Sequence, residues 1–387
     1  MVPIPMTSFF RPAFAAVVFA LWSLALFSPA QAVETMAKHA ILIDTSTGTI
    51  LMEKDADTAT APASLSKIMM LYLIFERLAE GNLTMEDTFA VSEKAWRMGG
   101  SKMFVGVNTR VTIADLLRGV IVQSGNDASI VIAEGLGGTE SNFAVEMTER
   151  AFELGLTNSV FKNATGWPEE GHVMSARDIA TLAFRLITDF PQYYPIFAET
   201  SFTYNEIRQS NRNPLLYDFP GADGLKTGHT DASGYGLAAS AVRNGRRLIL
   251  VLNGLESVQD RAREAERLLD WGFREFANYT LFTEGEVVDN AEVWLGAQPT
   301  VPLVIQQDLI LTLSRTARRN MTVKTVYQGP IPARIESGTE LAKLVIEAPD
   351  TPSVELPLIA GADVDRLGVF GRLRAAVGFL VWGAVTQ

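Results

Sequence analysis

The order of strand-like and helix-like segments limits the fold of this chain more than any other feature. Residues 39–54 have the pattern of a β-hairpin, in which HAILID and TILMEK flank the turn TSTG. Helical segments then run to about residue 190, and three strands and a long helix follow from Gly224 to about Asn278. The dipeptide Asn244-Gly245 between the last two strands favours a tight hairpin turn. This order predicts an α+β domain with a five-stranded antiparallel sheet.

The amino-acid composition argues against several classes of function. The chain has 387 residues, 48% hydrophobic and 20% charged, which is typical of a globular protein. Its 33 basic and 44 acidic residues give a net charge of −11, so no global attraction to nucleic acid is expected. There is no cysteine, and the three histidines do not have metal-ligand spacing. We therefore expect no metal and no cofactor, and a chemistry based on Ser, Lys, Arg, Asn and carboxylates.

The N-terminal residues 1–32 have the pattern of a secretory signal peptide. An apolar run from Pro12 to Phe27 follows a single charge, Arg11, and the small residues Ala30-Gln31-Ala32 suit a signal peptidase. An uncleaved membrane anchor is the alternative interpretation. Cleavage after Ala32 would place the mature protein outside the cytoplasm.

The C-terminal third differs from the rest of the chain. From about 279 to 364, short Val, Leu and Ile runs alternate with turn residues, which predicts a small all-β, sandwich-like domain. In residues 365–387, apolar side chains recur at helical spacing behind three arginines. Only 13 residues follow the last of these arginines, Arg374, whereas a membrane-spanning helix needs roughly 20 apolar residues, so we expect an amphipathic helix at the membrane surface. A terminal helix docked on the protein core is the alternative.

The first of three motifs is Ser64-Leu65-Ser66-Lys67, at the start of a strongly apolar helix predicted over 64–79. Residues three apart share one face of a helix, so the hydroxyl of Ser64 and the amine of Lys67 are neighbours. Burial of that amine disfavours its charged form, and a neutral amine can take the proton of Ser64. Taken alone, Ser64 is equally explained as a helix cap and Lys67 as a surface-reaching side chain.

The second motif, Ser124-Gly125-Asn126, lies between two helical segments. Glycine permits a sharp turn that presents a hydroxyl and an amide to the same space. Ser124 can relay a proton there, and Asn126 can hold a substrate amide. Alone, the motif also fits an ordinary turn between helices, with a capping Asn126 or Asp127.

The third motif, Lys226-Thr227-Gly228-His229, lies in a predicted strand. A glycine within a strand often marks the close approach of a ligand, and an edge strand can pair with an extended peptide. Lys226 can then bind a carboxylate or polarise the site. Alone, the segment also fits an ordinary polar strand.

Together the three motifs resemble, in order and spacing, the penicillin-recognising serine enzymes. The strings APASLSKIMM, IVQSGNDA, SARDIA and DGLKTGHTDASGYGLAASA are similar to the D-alanyl-D-alanine carboxypeptidases, the low-molecular-weight penicillin-binding proteins, over most of residues 35–275. The β domain and the terminal helix also resemble that family's extra module and membrane anchor. The resemblance implies a β-lactamase/transpeptidase-like catalytic domain over residues 33–278, followed by the β domain (279–364) and the anchor helix (365–387).

The resemblance also implies residue roles. Ser64 is the nucleophile that becomes acylated, Lys67 is its general base, and Ser124 passes a proton to the leaving amine. Asn126 positions the acyl amide. Oxyanion-hole N–H groups come from Ser64 and from a residue near His229.

The remaining implied roles concern substrate binding. Lys226, Thr227, Gly228 and His229 belong to the substrate-binding strand, where His229 is a hydrogen-bonding residue and not a catalyst. Arg212 matches a family arginine near the pocket for the terminal carboxylate, although a plain surface arginine fits equally well.

The implied activity is removal of the terminal D-alanine from peptidoglycan pentapeptides in the periplasm, at the inner-membrane surface, with β-lactams as covalent inhibitors. A D,D-endopeptidase using the same residues and a peptidoglycan-binding protein without activity remain alternatives. A class A β-lactamase is a weaker one. Its Glu-x-x-x-Asn pattern is missing, because Val173 and Met174 stand four residues after Glu169 and Glu170.

Overall fold

The N-terminal hairpin and three later strands form one central sheet. The structure, a computed structural model, describes residues 33–373 and 377. The strands of the catalytic part are β1 (His39–Asp44), β2 (Ile50–Lys54), β3 (Thr88–Ala90), β4 (Arg110–Thr112), β5 (Ser201–Tyr204), β6 (Ile207–Ser210), β7 (Ala222–Thr230), β8 (Gly234–Arg243) and β9 (Arg246–Leu255). The central sheet has the order β2-β1-β9-β8-β7, and all neighbouring strands are antiparallel, which confirms the predicted sheet.

Helices cover this sheet. The α-helices are α1 (Lys67–Ala79), α2 (Glu93–Arg97), α3 (Ile113–Ile121), α4 (Asn126–Gly137), α5 (Glu140–Glu153), α6 (Ala176–Asp189), α7 (Leu215–Asp218) and α8 (Val258–Glu275), and two 3-10 helices span Ala63–Ser66 and Tyr194–Ala198. Helix α1 is buried from Lys67 to Phe75 and lies within the main hydrophobic core. A lysine at its first position is therefore surrounded by apolar side chains.

Local sequence signals mark several of these elements correctly. The hydroxyls of Thr112, Ser175 and Ser257 each accept the backbone N–H three residues later and begin α3, α6 and α8. Both residues of the Asn244-Gly245 turn have positive φ, 52° and 77°, as a tight hairpin requires.

Two predicted helix boundaries are wrong. The long helix ends at Glu275 and not near Asn278, because Phe276–Phe282 form a strand that pairs with Leu309–Ser314. The position proposed as the end of the catalytic domain therefore lies inside a strand. At the other boundary, Ser64 lies in a 3-10 helix that precedes α1.

The C-terminal part is an all-β domain, as predicted. Its strands are β10 (Phe276–Phe282), β11 (Val287–Trp294), β12 (Thr300–Val304), β13 (Leu309–Ser314), β14 (Thr322–Val326), β15 (Ile331–Pro332), β16 (Glu340–Ala348) and β17 (Thr351–Ala360), with one short helix, α9 (Arg315–Arg319). They form a six-stranded sheet, β14-β16-β17-β12-β11-β15, and a two-stranded sheet, β10-β13. Both sheets contribute side chains to a separate apolar core.

The two ends of the chain are mostly outside this description. The chain divides into Met1–Glu34 and Thr35–Gln387, and all the elements above belong to the second unit. The predicted signal peptide (1–32) and most of the predicted terminal helix (365–387) lie outside the described residues. Within the described part, no helix has both the length and the hydropathy needed to cross a membrane.

Candidate active site

Ser64 and Lys67 are in direct contact at the junction between the 3-10 helix and α1. The hydroxyl of Ser64 accepts a hydrogen bond of 2.9 Å from Lys67 Nζ, and Ser64 is only partly buried, so it can meet a ligand. Ala63, just before it, has φ of 48°, a left-handed conformation that costs a non-glycine residue energy. The structure therefore places the Ser64 hydroxyl directly beside the Lys67 amine.

Lys67 is fully buried and has three hydrogen-bond acceptors: Ser64 Oγ, Asn126 Oδ1 at 2.9 Å and the backbone carbonyl of Thr165. Burial, followed by repulsion from Arg212, lowers the pKa of the Lys67 amine to about 7, although Asp127 acts in the opposite direction. A substantial fraction of this amine is therefore neutral at neutral pH and can accept a proton.

The turn at 124–126 joins α3 to α4 and brings Asn126 to the lysine. Asn126 Nδ2 donates to the carbonyl of Gly99 at 2.9 Å, which fixes the amide that Lys67 contacts. Ser124 has a left-handed φ of 61°, and its buried hydroxyl has no hydrogen-bond partner among the described residues. The structure thus joins Ser64, Lys67 and Asn126 through hydrogen bonds. Ser124, two residues before Asn126 in the same turn, is not joined to this group by a hydrogen bond among the described residues.

Strand β7 is an edge of the central sheet. It lies beside the 3-10 helix Ala63–Ser66, which we call the Ser64 helix. A Cβ at Gly228 would come within 3.2 Å of Leu65 Cγ and of the Pro62 carbonyl, so glycine permits this close approach. Lys226 is buried, and burial together with repulsion from Lys67 lowers its pKa well below the usual value. His229 is exposed and stacks on Tyr235 with 3.9 Å between ring centres.

A cavity of about 450 Å³ lies between these elements. Its lining residues are Ser64, Gly100, Ser101, Asn126, Thr165, Gly166, Trp167, Pro168, His229, Thr230, Asp231 and Ala232. A larger cavity of about 630 Å³ lies elsewhere, around Arg246 and Phe273, and contains none of the groups described above. The smaller cavity is the candidate active site because the nucleophile opens into it.

Positive charge without a carboxylate partner surrounds this cleft. Arg212 Nη1 donates to Ser101 Oγ at 2.5 Å, and its charge lowers the pKa of both Lys67 and Lys226. Arg261, on α8, is only 7% exposed and lies 5.9 Å from the Tyr235 ring centre. Lys226, Arg212 and Arg261 form no ion pair within the part of the chain that the structure describes, so the two guanidinium groups attract an anion.

Three contributors to the site were missed from the sequence. Arg261 lies within an amphipathic helix, where periodicity indicates only packing. Asp127 accepts the backbone N–H groups of residues 103, 104 and 105 and so anchors the loop above the cleft. The segment around Thr165 carries a turn signal, Asn163 followed by Gly166, but no local pattern indicates that it reaches Lys67.

Comparison with known proteins finds matches for both the catalytic part and the β domain. A family model described as D-alanyl-D-alanine carboxypeptidase matches residues 26–256, and one described as penicillin-binding protein 5, C-terminal domain, matches residues 276–366. The chain is 35% identical over 347 residues to the D-alanyl-D-alanine carboxypeptidase DacA of Haemophilus influenzae, covering 87% of each chain. It is also 35% identical over 364 residues to DacC of Escherichia coli, covering 91% of each.

Solved structures show the same relationship. The D-alanyl-D-alanine carboxypeptidase DacD from Francisella tularensis is similar with a TM-score of 0.78 and 28% identity, over 92% of this chain and all of that one. Penicillin-binding protein 5 from Haemophilus influenzae is similar with a TM-score of 0.72 and 33% identity, over 86% of this chain and 99% of that one. The match therefore covers both the catalytic part and the β domain. The chain belongs to the D-alanyl-D-alanine carboxypeptidase family.

Proposed function

We propose that this protein is a serine-type D-alanyl-D-alanine carboxypeptidase that removes the terminal D-alanine from peptidoglycan stem peptides. The observation that carries the proposal is the 2.9 Å contact between Ser64 Oγ and the buried Lys67 amine, whose pKa is lowered to about 7, in a cleft beside an edge strand. Family membership supports the substrate class, and the cationic cleft suits a peptide that ends in a carboxylate.

Acylation begins when neutral Lys67 takes the proton of Ser64. The Ser64 oxygen attacks the carbonyl carbon of the penultimate D-alanine, and the resulting oxyanion faces backbone N–H groups of Ser64 and of a residue near His229. Loss of one such donor typically costs about 3–4 kcal/mol of transition-state stabilisation. Ser124 passes its proton to the leaving amine and is reprotonated by Lys67, which becomes neutral again; the C–N bond breaks and D-alanine departs.

Deacylation uses water as the second nucleophile. Water adds to the Ser64 ester, its proton passes to the lysine, and the ester C–O bond breaks. The products are the shortened peptide carboxylate and a regenerated Ser64 hydroxyl. A β-lactam enters the same cycle at acylation, because its strained amide replaces the peptide bond, and we propose that it inhibits by remaining as the ester.

Substrate binding relies on strand β7 and the nearby cations. Strand β7 is the last strand of the central sheet, so an extended peptide can pair with its outer side, with Thr227, Gly228 and His229 along it and Asn126 holding the acyl amide opposite. Arg212 and the additional Arg261 provide the positive potential for the terminal carboxylate, and the buried Lys226 amine can donate a hydrogen bond to it. Arg261 is thus added to Arg212 and Lys226, the two carboxylate-binding candidates predicted from the sequence.

Replacing Ser64 with alanine tests the proposal. We expect Ser64→Ala to lower D-alanine release from a peptide ending in D-Ala-D-Ala by more than about 10³-fold, since the acyl-enzyme cannot form. The same variant should take no label from fluorescent penicillin, whereas Ser46→Ala, on the far hairpin, should behave as wild type. Activity that persists in Ser64→Ala would identify a different nucleophile.

Mass spectrometry of muropeptides separates the two possible peptidase activities. A carboxypeptidase shortens pentapeptides by one alanine and leaves cross-linked dimers intact. An endopeptidase converts dimers to monomers. We expect the first pattern.

We also propose that the protein works in the periplasm, attached to the inner membrane by residues 365–387. The signal-like sequence of residues 1–32 supports export, and the net charge of −11 gives no reason for nucleic-acid binding. Within the described part of the terminal segment, Val369, Phe370 and Leu373 are exposed by 70%, 89% and 65%, as expected of apolar side chains that meet lipid.

A further inference from the structure

A single side chain organises the loop of residues 163–169, which we call the Thr165 loop. Asn163 is 8% exposed, and its Oδ1 accepts hydrogen bonds from the backbone N–H of Thr165 (3.2 Å), Gly166 (2.9 Å) and Trp167 (3.2 Å), and from Thr165 Oγ1 (3.1 Å). Its Nδ2 donates to the Trp167 carbonyl at 3.0 Å and to Glu169 Oε2 at 2.9 Å. This one amide therefore fixes the loop conformation.

The Thr165 loop touches the catalytic pair at two points. The Thr165 carbonyl accepts a hydrogen bond from Lys67 Nζ. The α-carbon of Gly166 packs so closely on the Ser64 helix that a Cβ there would lie 1.9 Å from the Ala63 carbonyl oxygen. None of the hydrogen bonds of Asn163 goes to Ser64 or Lys67 themselves, so its influence on them passes through the loop.

The three contacts of Lys67 Nζ have a consequence for the neutral amine. A neutral amine has two hydrogens and one lone pair in a tetrahedral arrangement. If the Asn126 side chain and the Thr165 carbonyl accept the two hydrogens, the lone pair is left facing Ser64 Oγ, which is the direction needed to take the proton. Without the Thr165 carbonyl, the amine can rotate and turn a hydrogen toward Ser64.

We propose that Asn163 is a positioning residue for acylation: by fixing the Thr165 loop, it keeps the Thr165 carbonyl against Lys67 and so directs the lysine lone pair at Ser64. This inference rests on the proposed function, because it assigns a helper to Lys67 as the general base. It extends the site to a side chain that contacts neither the nucleophile nor the base.

The charged groups around Lys67 allow the role to be measured. The charge of Lys67 interacts electrostatically with Arg212, Lys226, His172 and Asp127. Asn163, in contrast, is neutral. Replacing Asn163 with alanine therefore leaves this set of charges unchanged. Loss of an accepting carbonyl disfavours the ammonium form, so the pKa of Lys67 should fall further. A defect in folding alone would not move that pKa.

The test is the rate of acylation by fluorescent penicillin, measured on the full chain across the neutral pH range. We expect Asn163→Ala to lower the maximal rate about tenfold to a hundredfold, as small displacements of catalytic groups do. The midpoint of the pH profile should move to lower pH by about one unit, equivalent to one hydrogen bond to a charged group.

Ser159→Ala is the matched control. Ser159 lies just before the loop and donates a buried hydrogen bond of 2.7 Å to Asp178, and among the described residues its side chain has no hydrogen bond to the Thr165 loop. We expect this variant to lose thermal stability while keeping the wild-type pH midpoint. If Ser159→Ala reproduces both effects of Asn163→Ala, the inference is wrong.

A second pair of variants applies if Asn163→Ala does not fold. Asn163→Asp places two carboxylates together, at 163 and 169, and should slow acylation. Adding Glu169→Gln gives position 169 an amide that can donate to the new carboxylate at position 163. We expect this double variant to recover most of the maximal acylation rate at high pH. A folded double variant that stays as slow as Asn163→Asp overturns the inference.

Different results contradict the proposed function and the role of Asn163. A wild-type protein that takes no label contradicts the proposed function. A labelled wild type together with an Asn163→Ala variant of equal rate and equal pH midpoint contradicts only the role of Asn163.

Discussion

The behaviour of Lys67 depends on which of its neighbours dominates. Burial and Arg212 lower its pKa, and Asp127 raises it, yet the pKa still falls from 10.5 to about 7. Removal of the amine from water thus outweighs the nearby carboxylate. A lysine with an ordinary pKa would be almost entirely charged at neutral pH and unable to accept the proton of Ser64, so burial on α1 creates the base.

The pH dependence of acylation should report this shift directly. Below about pH 7 the rate should rise about tenfold per pH unit, and above it the rate should level off, because neutral Lys67 is the active form. Removing the positive charge in Arg212→Gln should raise the pKa of Lys67 and move the midpoint to higher pH. Stopped-flow acylation by a chromogenic β-lactam measures both. A midpoint that stays in place or moves lower would contradict the assigned effect of Arg212.

At the scale of elements, the site forms where three segments meet closely: the Ser64 helix, strand β7 and the Thr165 loop. Glycines permit two of these contacts. Gly228 allows β7 to approach Leu65, and Gly166 allows the loop to approach Ala63. Gly166 also has φ of 79°, which favours glycine on conformational grounds. The packing of backbone on backbone explains how a loop carbonyl can reach a lysine inside the core.

Gly166→Ala should therefore destabilise the protein more than a positive φ alone would. Gly138→Ala is the matched control, since Gly138 has φ of 72° but nothing within 4 Å of the added Cβ. We expect about 1 kcal/mol for Gly138→Ala and at least about 3 kcal/mol for Gly166→Ala in urea unfolding, with loss of penicillin labelling only in the latter. Equal losses would mean that the contact with Ala63 relaxes without cost.

At the scale of the whole molecule, buried polar contacts connect the catalytic sheet to the β domain. Asp44, at the end of β1, is fully buried and pairs with Arg246 at 2.5 Å. Arg246 Nη1 donates to the Phe276 carbonyl, where β10 begins, and Asn278 on β10 donates to Asp44 at 3.4 Å. Thr312 on β13 completes the junction with a bond to Asn278. The β domain is therefore hydrogen-bonded to strands β1 and β9 of the central sheet, in addition to its covalent connection through α8.

Removing the terminal segment should separate membrane attachment from catalysis. The predicted segment begins at 365, but residues 365–367 still hydrogen-bond to the β domain through Ala297, Ala333 and Leu295. Deletion of residues 368–387 should consequently preserve stability and D-alanine release while moving the protein from the membrane to the soluble fraction. Sedimentation with vesicles containing anionic lipid measures this. A truncated protein that still sediments would exclude this segment as the anchor.

Much of the fold was predictable because it depends on local patterns. The hairpin at 39–54, the Asn244-Gly245 turn and the three hydroxyl caps are each encoded by adjacent residues. The end of α8 was not predictable in this way. Residues 276–278 continue the chain without a helix-breaking residue, and they become a strand only because β13 is available to pair with them.

The sequence by itself determined the chemistry that is present: a serine and a lysine three residues apart, a Ser-Gly-Asn turn, a Lys-Thr-Gly strand and no cysteine. Tertiary structure alone decided which other groups act on them: the Thr165 carbonyl accepts a hydrogen bond from Lys67, Asn163 holds the loop that carries this carbonyl, and the charge of Arg261 acts on Lys226. The physical reason is that helical or strand spacing specifies neighbours only within one element. A backbone carbonyl or a distant arginine reaches the lysine through packing between segments far apart in the chain, and no local pattern records that distance.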